Sequence, residues 1–370
     1  APPAAAIPAT LLTGLDPLTH ESAVVEGEPR RVASLADGRR AVLTLDAPLQ
    51  GHLEDELRRF DVPFGAVVAL EPATGRVLAY VSHSSAHPGA GDLARDPTPP
   101  TASVFKVVTA AALVDAGIGR NRRVCYSGGA RRIERSNLED HDRDRQCATF
   151  GEAMGRSITA VFAKLADRHL DQPTLARYAE AFGFGHALPF DVPTRASPVE
   201  IPGERLERAR TAAGFWHAHM SPLHGALIAA TVANDGRMPR AAMVDRVEDA
   251  EGQVLARHEP EVFRAVIPRR TARTLTRMMQ NTVRRGTARR AFFDNAGRAF
   301  LPGMEVAGKT GTLSSERPYR GYTWFVGFAP ADAPTIAVAS LGVNTPEWRI
   351  KASYLGREAL RHYLRRSPGE

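Results

Sequence analysis

Apolar residues recur at helical spacing early in the chain, directly after Asp46, which is suited to capping a helix. Four positions share one helical face: Leu49, Leu53, Leu57 and Phe60. Two β-rich runs follow at 65–70 and 76–82, and the Glu-Pro-Ala-Thr-Gly segment between them forms turns readily. This pattern predicts an amphipathic helix followed by a β-hairpin.

The middle of the chain has mostly helical character, and strand-like runs return only near its end. The predicted helices of this middle part are 104–116, 150–170 and 271–282. The predicted late strands are 305–313, 322–329 and 335–343, and an amphipathic helix at 352–365 follows them. The order predicts an α+β fold, in which the two ends of the chain form one antiparallel sheet flanked by helices and an all-helical lobe is inserted.

Residues 1–38 differ from the rest of the chain in composition. They are rich in Ala, Pro and Gly without sustained periodicity, so we expect a linker or loosely packed lead-in before a single domain at 39–368. The chain begins without Met, and no apolar run is long enough to span a bilayer. We expect a processed or trimmed protein, with any signal peptide or membrane anchor upstream of this sequence.

The distribution of charged residues along the chain indicates which kinds of macromolecule it can bind. The formal net charge is +7 over 370 residues, but basic residues stand singly or in pairs among acidic ones. The densest basic cluster is Arg284, Arg285, Arg289 and Arg290, and no aromatic stacking pattern accompanies it. We interpret this cluster as a solvated face or a contact for an acidic surface, and we expect no nucleic-acid partner.

Lysine is rare in this chain. Nearly every positive charge is Arg, and the only lysines are Lys106, Lys164, Lys309 and Lys351. A buried Lys can lose its proton and act as a base, whereas Arg stays charged in proteins. Two of the four lie in the motifs described below, and we interpret Lys164 and Lys351 as surface residues on helices with no role.

The two cysteines, Cys125 and Cys147, flank a polar stretch that could not form a core of its own. A disulfide between them would contribute about 3 kcal/mol by restricting the unfolded chain, and it would indicate an oxidising compartment. The alternative is a pair of free buried thiols. The cysteine spacing is not that of a metal site, and we expect no metal and no cofactor.

The first chemical motif is Ser103-Val104-Phe105-Lys106, at the start of a predicted helix. Residues three apart share a helical face, so the Lys106 amine can reach the Ser103 hydroxyl. A serine in the first turn also lies at the positive end of the helix dipole, which favours a developing alkoxide. Taken alone, the motif is a weak signal, because S-x-x-K often occurs by chance and more often represents a capping serine with a nearby surface lysine.

Two further motifs add hydroxyls and a second cation. Ser157-Ile158-Thr159 supplies a second hydroxyl that could relay a proton, although the same residues are typical of a helix start. In Lys309-Thr310-Gly311-Thr312, Lys309 could anchor a substrate carboxylate and help to keep Lys106 deprotonated. Gly311 would let a substrate backbone lie against the strand, and the backbone N–H groups of Thr312 and Ser103 could form an oxyanion hole.

Two competing sites can be weighed on the same residues. Residues 303–310 also fit the G-x-x-x-x-G-K-T phosphate loop, but the sequence has neither the preceding hydrophobic strand nor the following helix that this loop requires. His217, His219 and His224 could suggest a metal site, but no carboxylate or cysteine is suitably spaced. We interpret them as loop histidines near the cleft.

With these three motifs in this order, the chain resembles the penicillin-binding proteins, which are serine DD-transpeptidases, and their β-lactamase relatives. The likeness extends from about Thr44 to the C-terminal helix. It includes these segments: 43–46 with Leu49-Gln50, 75–79, 221–223 and 324–328. The resemblance implies an antiparallel sheet covered by helices beside an all-helical lobe, and a transpeptidase-like catalytic domain at 39–368.

The resemblance also implies a mechanism and partners. Ser103 would attack a D-Ala-D-Ala stem peptide of peptidoglycan, with Lys106 and Ser157 as catalytic partners and 309–312 and Thr159 binding the substrate. A β-lactam would imitate the peptide and acylate Ser103. We expect an extracytoplasmic protein, in the periplasm or at the cell surface, with a separate glycosyltransferase or other cell-wall proteins as partners.

Thr159 departs from the family pattern, which usually has Asn at this position. Thr is shorter and offers one hydroxyl instead of an amide. Class D β-lactamases and β-lactam sensor domains often carry Val there, so a hydrolase or a sensor is the first alternative function. A catalytically impaired scaffold of the same fold is the second, against which the presence of Ser103, Lys106 and Lys309 counts.

Overall fold

The computed structural model of the protein describes residues 7–130 and 132–366. The helices are α1 Ala47–Arg59, α2 Lys106–Asp115, α3 Phe150–Arg156, α4 Thr159–His169, α5 Gln172–Ala181, α6 Arg205–Ala212, α7 Pro222–Ala233, α8 Arg269–Arg284, α9 Arg289–Phe292 and α10 Ala352–Arg366. The strands are β1 Glu21–Val25, β2 Glu28–Ser34, β3 Arg40–Leu43, β4 Phe64–Leu70, β5 Val77–His83, β6 Arg123–Tyr126, β7 Gln146–Thr149, β8 Arg237–Pro239, β9 Val244–Glu248, β10 Val254–Arg257, β11 Val262–Ala265, β12 Ala307–Glu316, β13 Tyr319–Ala329 and β14 Ile336–Asn344. None of the helices in these ranges is long and apolar enough to cross a bilayer.

The central sheet joins the two ends of the chain, as predicted. Its antiparallel strand order is β12-β13-β14-β4-β5. Leu53 of α1 and Leu360 of α10 pack on one face of the sheet, and Leu227 of α7 packs on the other. Every residue of β14 is buried, as expected for a strand covered on both faces. The α+β fold class is confirmed.

The predicted helix at 150–170 is two helices. A capping box starts α3, in which the Thr149 side chain accepts from the Glu152 N–H and Glu152 accepts in return. The helix ends at Ser157, which has a left-handed backbone with φ of 56°, and α4 begins two residues later. This break turns the Ser157 side chain out of the helical row and makes it available to the site described below.

A second sheet lies where the sequence predicted a linker. It has the order β1-β2-β3-β9-β10, so β1 and β2 of the expected lead-in at 1–38 form a meander with β3, which in turn pairs with the distant strand β9. Val25, Val32 and Val42 form its small apolar cluster. Charged neighbours interrupt this short apolar pattern, which explains why composition indicated a loose segment.

Strands β8 to β11 also lie in the stretch that was predicted to be mostly helical. Residues 1–6, at the start of the predicted lead-in, and 367–368, at the end of the predicted domain, lie outside the described residues.

The polar stretch between the cysteines is fixed to the helical lobe. Cys125 and Cys147 are paired in register on β6 and β7 and joined by a disulfide. Lys164 of α4 is only 1% exposed and donates to the Cys125 carbonyl at 3.0 Å and to Asp140 at 3.2 Å. It also forms an ion pair with Asp144. The interpretation of Lys164 as a surface residue was therefore wrong, because local sequence does not show the carboxylates that partner it.

Candidate active site

Ser103 lies in a short 3-10 helix, Ala102–Phe105, which continues directly into α2. Lys106 is the first residue of α2 and its side chain is fully buried. Its Nζ lies 3.1 Å from Ser103 Oγ, which is within proton-transfer reach. Gly214 packs directly against the backbone of Ser103. A Cβ at position 214 would come within 2.8 Å of the Ser103 Cα, so a residue with a side chain would displace the nucleophile.

Ser157 lies between two amines. Its Oγ is 3.2 Å from Lys106 Nζ and 2.9 Å from Lys309 Nζ, and its carbonyl accepts a hydrogen bond of 3.1 Å from Lys106. The left-handed backbone costs about 1–2 kcal/mol for a residue with a side chain, so packing must hold it. That strain places one hydroxyl in contact with both cations of the predicted motifs.

Thr159 begins α4 on the same side of the cleft. Its Oγ1 lies 3.3 Å from Lys106 Nζ and 3.4 Å from the Ser157 carbonyl. The hydroxyl therefore contacts the amine directly.

The third motif lies in strand β12, opposite Ser103. Lys309 is fully buried and donates to the Thr310 carbonyl at 2.7 Å. A Cβ on Gly311 would lie 3.1 Å from Ala102 Cβ and 3.2 Å from the Thr101 carbonyl, so a larger residue would narrow the gap between the strand and the Ser103 segment. Because 303–310 lead into a strand and not a helix, the phosphate-loop alternative lacks the helix N-terminus that it requires.

Burial lowers the pKa of both amines, and the charge of Lys309 acts further on Lys106 alone. Burial, and then the charge of Lys309, lower the pKa of Lys106 well below its usual value. Burial lowers the pKa of Lys309 to about 7. No carboxylate contributes to either shift, and the Phe162 ring lies 5.4 Å from the Lys106 Nζ. A neutral Lys106 keeps a lone pair with which to accept the Ser103 proton.

These side chains open into one cleft of about 1240 Å³. The cleft is lined by six of the predicted site residues: Ser103, Ser157, Thr159, Thr310, Gly311 and Thr312. Both proposed oxyanion donors, Ser103 and Thr312, therefore face the same space.

Sequence reasoning missed several residues that line the cleft, among them Gly214, Trp216, Thr287, Trp348 and Lys351. Thr287 Oγ1 lies 2.5 Å from Thr310 Oγ1, so it contacts the third motif directly. The sequence offers only a weak signal for these residues, since they come from loops that are brought to the cleft by tertiary folding.

The three histidines do not converge. His224 is fully buried and bonds to Ser197 Oγ at 2.7 Å and the Phe182 carbonyl at 2.8 Å. His217 lies 2.9 Å from Glu207 at the cleft wall, and His219 bonds to the Thr98 carbonyl. Within residues 7–130 and 132–366, no group of three or more His, Cys, Asp or Glu side chains is arranged to hold a metal ion.

Comparison with known proteins gives one consistent family. Residues 65–357 match the family model described as the penicillin binding protein transpeptidase domain. The peptidoglycan D,D-transpeptidase PbpA of Mycolicibacterium smegmatis is 28% identical over 320 residues, which cover 75% of this chain and 61% of that protein. The chain thus spans less than two thirds of the length of this curated relative.

Two solved structures share the fold. The D,D-transpeptidase domain of a peptidoglycan glycosyltransferase from Eggerthella lenta has a TM-score of 0.75 at 25% identity, over 90% of this chain and 85% of that one. The ceftriaxone acyl-enzyme complex of penicillin-binding protein A from M. tuberculosis has a TM-score of 0.71 at 24% identity, over 87% of this chain and 78% of that one.

Proposed function

This chain belongs to the penicillin-binding protein transpeptidase family, and from that premise we propose that it is a serine D,D-transpeptidase acting on D-Ala-D-Ala stem peptides of peptidoglycan. One observation supports the proposal most strongly. Lys106 Nζ contacts both Ser103 Oγ and Ser157 Oγ, at 3.1 and 3.2 Å, in a buried site where its pKa is lowered. That arrangement joins a nucleophile, a base and a second hydroxyl in one hydrogen-bonded unit.

The first half of the reaction forms an acyl-enzyme. Neutral Lys106 takes the proton of Ser103 Oγ as this oxygen attacks the carbonyl of the penultimate D-Ala. The negative charge that develops on the carbonyl oxygen is stabilised by the backbone N–H groups of Ser103 and Thr312. Ser157 gives its hydroxyl proton to the leaving nitrogen and receives in turn the proton that Lys106 took from Ser103, the C–N bond breaks, and terminal D-Ala departs with Lys106 neutral again.

The second half of the reaction transfers the acyl group. The amine of a neighbouring stem attacks the Ser103 ester, its proton returns through Ser157 and Lys106, and a new amide forms while Ser103 Oγ is restored. Lys309 supports this cycle by attracting the terminal carboxylate of the donor, and the hydroxyls of Thr310 and Thr312 lie along the same strand.

Location and partners follow from this activity. We propose an extracytoplasmic protein, and the disulfide between Cys125 and Cys147 agrees with an oxidising compartment. Glycan polymerisation would come from a separate glycosyltransferase. We propose that the catalytic unit extends from 39 to 368 and that β1 and β2 stabilise it through the second sheet.

Intact mass after incubation with a penicillin tests the proposal. We expect a lasting adduct of one drug molecule on the unchanged protein and none on Ser103→Ala. Rapid drug turnover without a lasting adduct would favour the β-lactamase alternative, and no adduct at all would favour a catalytically impaired scaffold. A lasting adduct is also expected of a sensor domain, so release of D-Ala from a stem peptide with an added acceptor amine is the second measurement.

A further inference from the structure

Lys351 is the one lysine of the chain that is exposed and lies at the cleft. Lys106, Lys164 and Lys309 are each at most 1% exposed, whereas Lys351 is exposed and lines the cleft with Ser103. It immediately precedes α10 and so does not lie on a helix as the sequence suggested. Among the described residues it forms no ion pair, and its Nζ lies 5.8 Å from the centre of the Trp348 ring.

The segment that carries Lys351 is held firmly beside the third motif. The Ala352 N–H, one residue later, donates to Thr323 Oγ1 at 3.1 Å, and Thr323 pairs with Thr312 across β12 and β13. Asn344 closes the loop before Lys351 by accepting from the Arg349 N–H at 3.0 Å and donating to the Ile350 carbonyl at 3.0 Å. These hydrogen bonds therefore hold the backbone from which the Lys351 side chain extends.

Trp348 fixes the position of this subsite along the groove. Its Nε1 donates to Tyr319 Oη at 2.9 Å, and its ring lies against Gly321, where a Cβ would come within 2.7 Å of the ring. Gly321 pairs with Ser314, which is two residues beyond Thr312. Two residues of a strand span about 7 Å, so Ser314 lies about that far along β12 from Thr312, and the Lys351–Trp348 subsite lies beside this part of the strand.

Strand β12 lies at an edge of the central sheet as far as residues 7–130 and 132–366 show, with β13 as its strand neighbour. A stem peptide can therefore extend along it, with its terminal carboxylate toward Lys309 and its preceding residue toward Ser314. A long side chain on the residue before D-Ala-D-Ala then reaches the Lys351–Trp348 subsite.

The cleft as a whole carries more unpaired positive than negative charge. Outside the catalytic centre, Glu207 is paired with Arg210 and His217. In the part of the chain that the structure describes, the charged cleft residues without an ion pair are Arg132, Arg290 and Lys351, which are positive, and Glu316, which is negative. This excess of positive charge attracts a carboxylate.

We infer that Lys351 is a specificity residue that binds a free side-chain carboxylate on the residue preceding D-Ala-D-Ala, so that the enzyme favours stem peptides in which this carboxylate is not amidated. The inference rests on the proposed function, since it concerns the donor of that reaction. The Lys351 Nζ lies 5.8 Å from the centre of the Trp348 ring, a distance that leaves its N–H groups able to donate to a carboxylate.

The test compares two donor peptides that differ only in whether this carboxylate is free or amidated. We expect the unchanged protein to favour the free form about fivefold in kcat/KM, mainly through KM, as is typical of a solvent-accessible ion pair. Lys351→Gln should abolish the preference and Lys351→Arg should retain most of it. Arg349→Gln is the matched control, because Arg349 pairs with Glu347 two residues away and does not line the cleft.

Two further readouts separate charge from shape. Raising the salt concentration should reduce the preference, and Glu316→Gln should increase it. Equal kcat/KM for the two peptides, or a preference that survives Lys351→Gln, would overturn the inference while penicillin acylation of Ser103 continues. Loss of penicillin acylation in the unchanged protein would instead refute the proposed function.

Discussion

Lys106 and Lys164 are both nearly inaccessible to solvent in the same helical lobe. They differ in the charge of the groups that surround them. Lys106 is surrounded by the hydroxyls of Ser103, Ser157 and Thr159, with another lysine beyond them. Lys164 is surrounded by carbonyl and carboxylate oxygens. Burial alone therefore does not make a lysine a base, because the partner determines whether the buried amine keeps its charge.

The pKa of Asp144 shows how the pairing with Lys164 affects the carboxylate. Burial acts to raise its pKa, but the hydrogen bonds from Lys164 and Ser127 outweigh burial and lower the pKa to about 2. Asp144 is thus ionised over the physiological range. Its ion pair with Lys164 joins the loop between the cysteines to α4, whereas the Lys106 amine contacts the Ser103 hydroxyl.

The largest effect is expected from Lys106→Met, which keeps the length of the side chain and removes the amine. Loss of the base should lower the rate of acylation by a fluorescent penicillin about 10³-fold, within the usual range for general base catalysis. Stopped-flow fluorescence measures the rate. Lys106→Arg should be similarly slow because Arg does not deprotonate, and a rate within tenfold of the unchanged protein would contradict the assigned role.

Lys164→Met should affect stability and not chemistry. Removing one member of a buried ion pair leaves Asp144 uncompensated, and we expect the free energy of unfolding to fall by about 3 kcal/mol. Urea denaturation measures this change. The acylation rate of the folded variant should stay within about threefold of the unchanged protein, and a 10³-fold loss would remove the distinction between the two lysines.

The pH dependence of stability provides a control for this pair. Because the pKa of Asp144 is lowered on folding, its contribution is fully present above its usual value of 3.8 and is lost as the pH falls through about 2. Lys164→Met should therefore weaken the acid sensitivity of unfolding between these values. Asp144→Leu combined with Lys164→Met should recover part of the lost stability.

Acylation should have a bell-shaped pH profile. The rate rises with pH as Lys106 loses its proton, and it falls above about pH 7, where Lys309 loses the charge that attracts the substrate carboxylate. The expected decline is up to tenfold per pH unit on the alkaline side. Lys309→Arg should move that limb to higher pH, and an unchanged limb in this variant would assign it to another group.

The smallest effect is expected from Thr159→Asn, which restores the side chain usual for the family. An amide can bond to both Lys106 and the substrate carbonyl, so we expect acylation to become several-fold faster. Rapid-mixing kinetics with the same penicillin measures this change. An unchanged rate would mean that the Thr159 hydroxyl, 3.3 Å from Lys106, already serves the site fully.

The parts of the molecule that sequence predicted are those set by local spacing. The Ser103–Lys106 contact follows from a three-residue helical interval, and the cap at Asp46 follows from its position before an apolar face. The central sheet followed from strand-like runs at both ends. In each case the decisive pattern lies within a short stretch of sequence.

The parts that sequence did not predict depend on residues that meet only in the folded chain. The carboxylate partners of Lys164 lie 20 and 24 positions away, and the meander of β1, β2 and β3 joins the second sheet through the distant strand β9. Lys351 seemed an ordinary surface residue because its position beside Thr312 depends on the Asn344 turn and on Thr323. No local pattern contains such information.

The pairing of distant strands has a consequence for biosynthesis. Arg40 of β3 bonds to Glu248 of β9 across 208 positions, and β4 pairs with β14 near the end of the chain. Such long-range closure slows folding and has to wait for the later strands to be made. A growing polypeptide that carries Ser103 but not yet β12 therefore lacks Lys309 and the strand that faces Ser103, so the cleft can assemble only after β12 has been made.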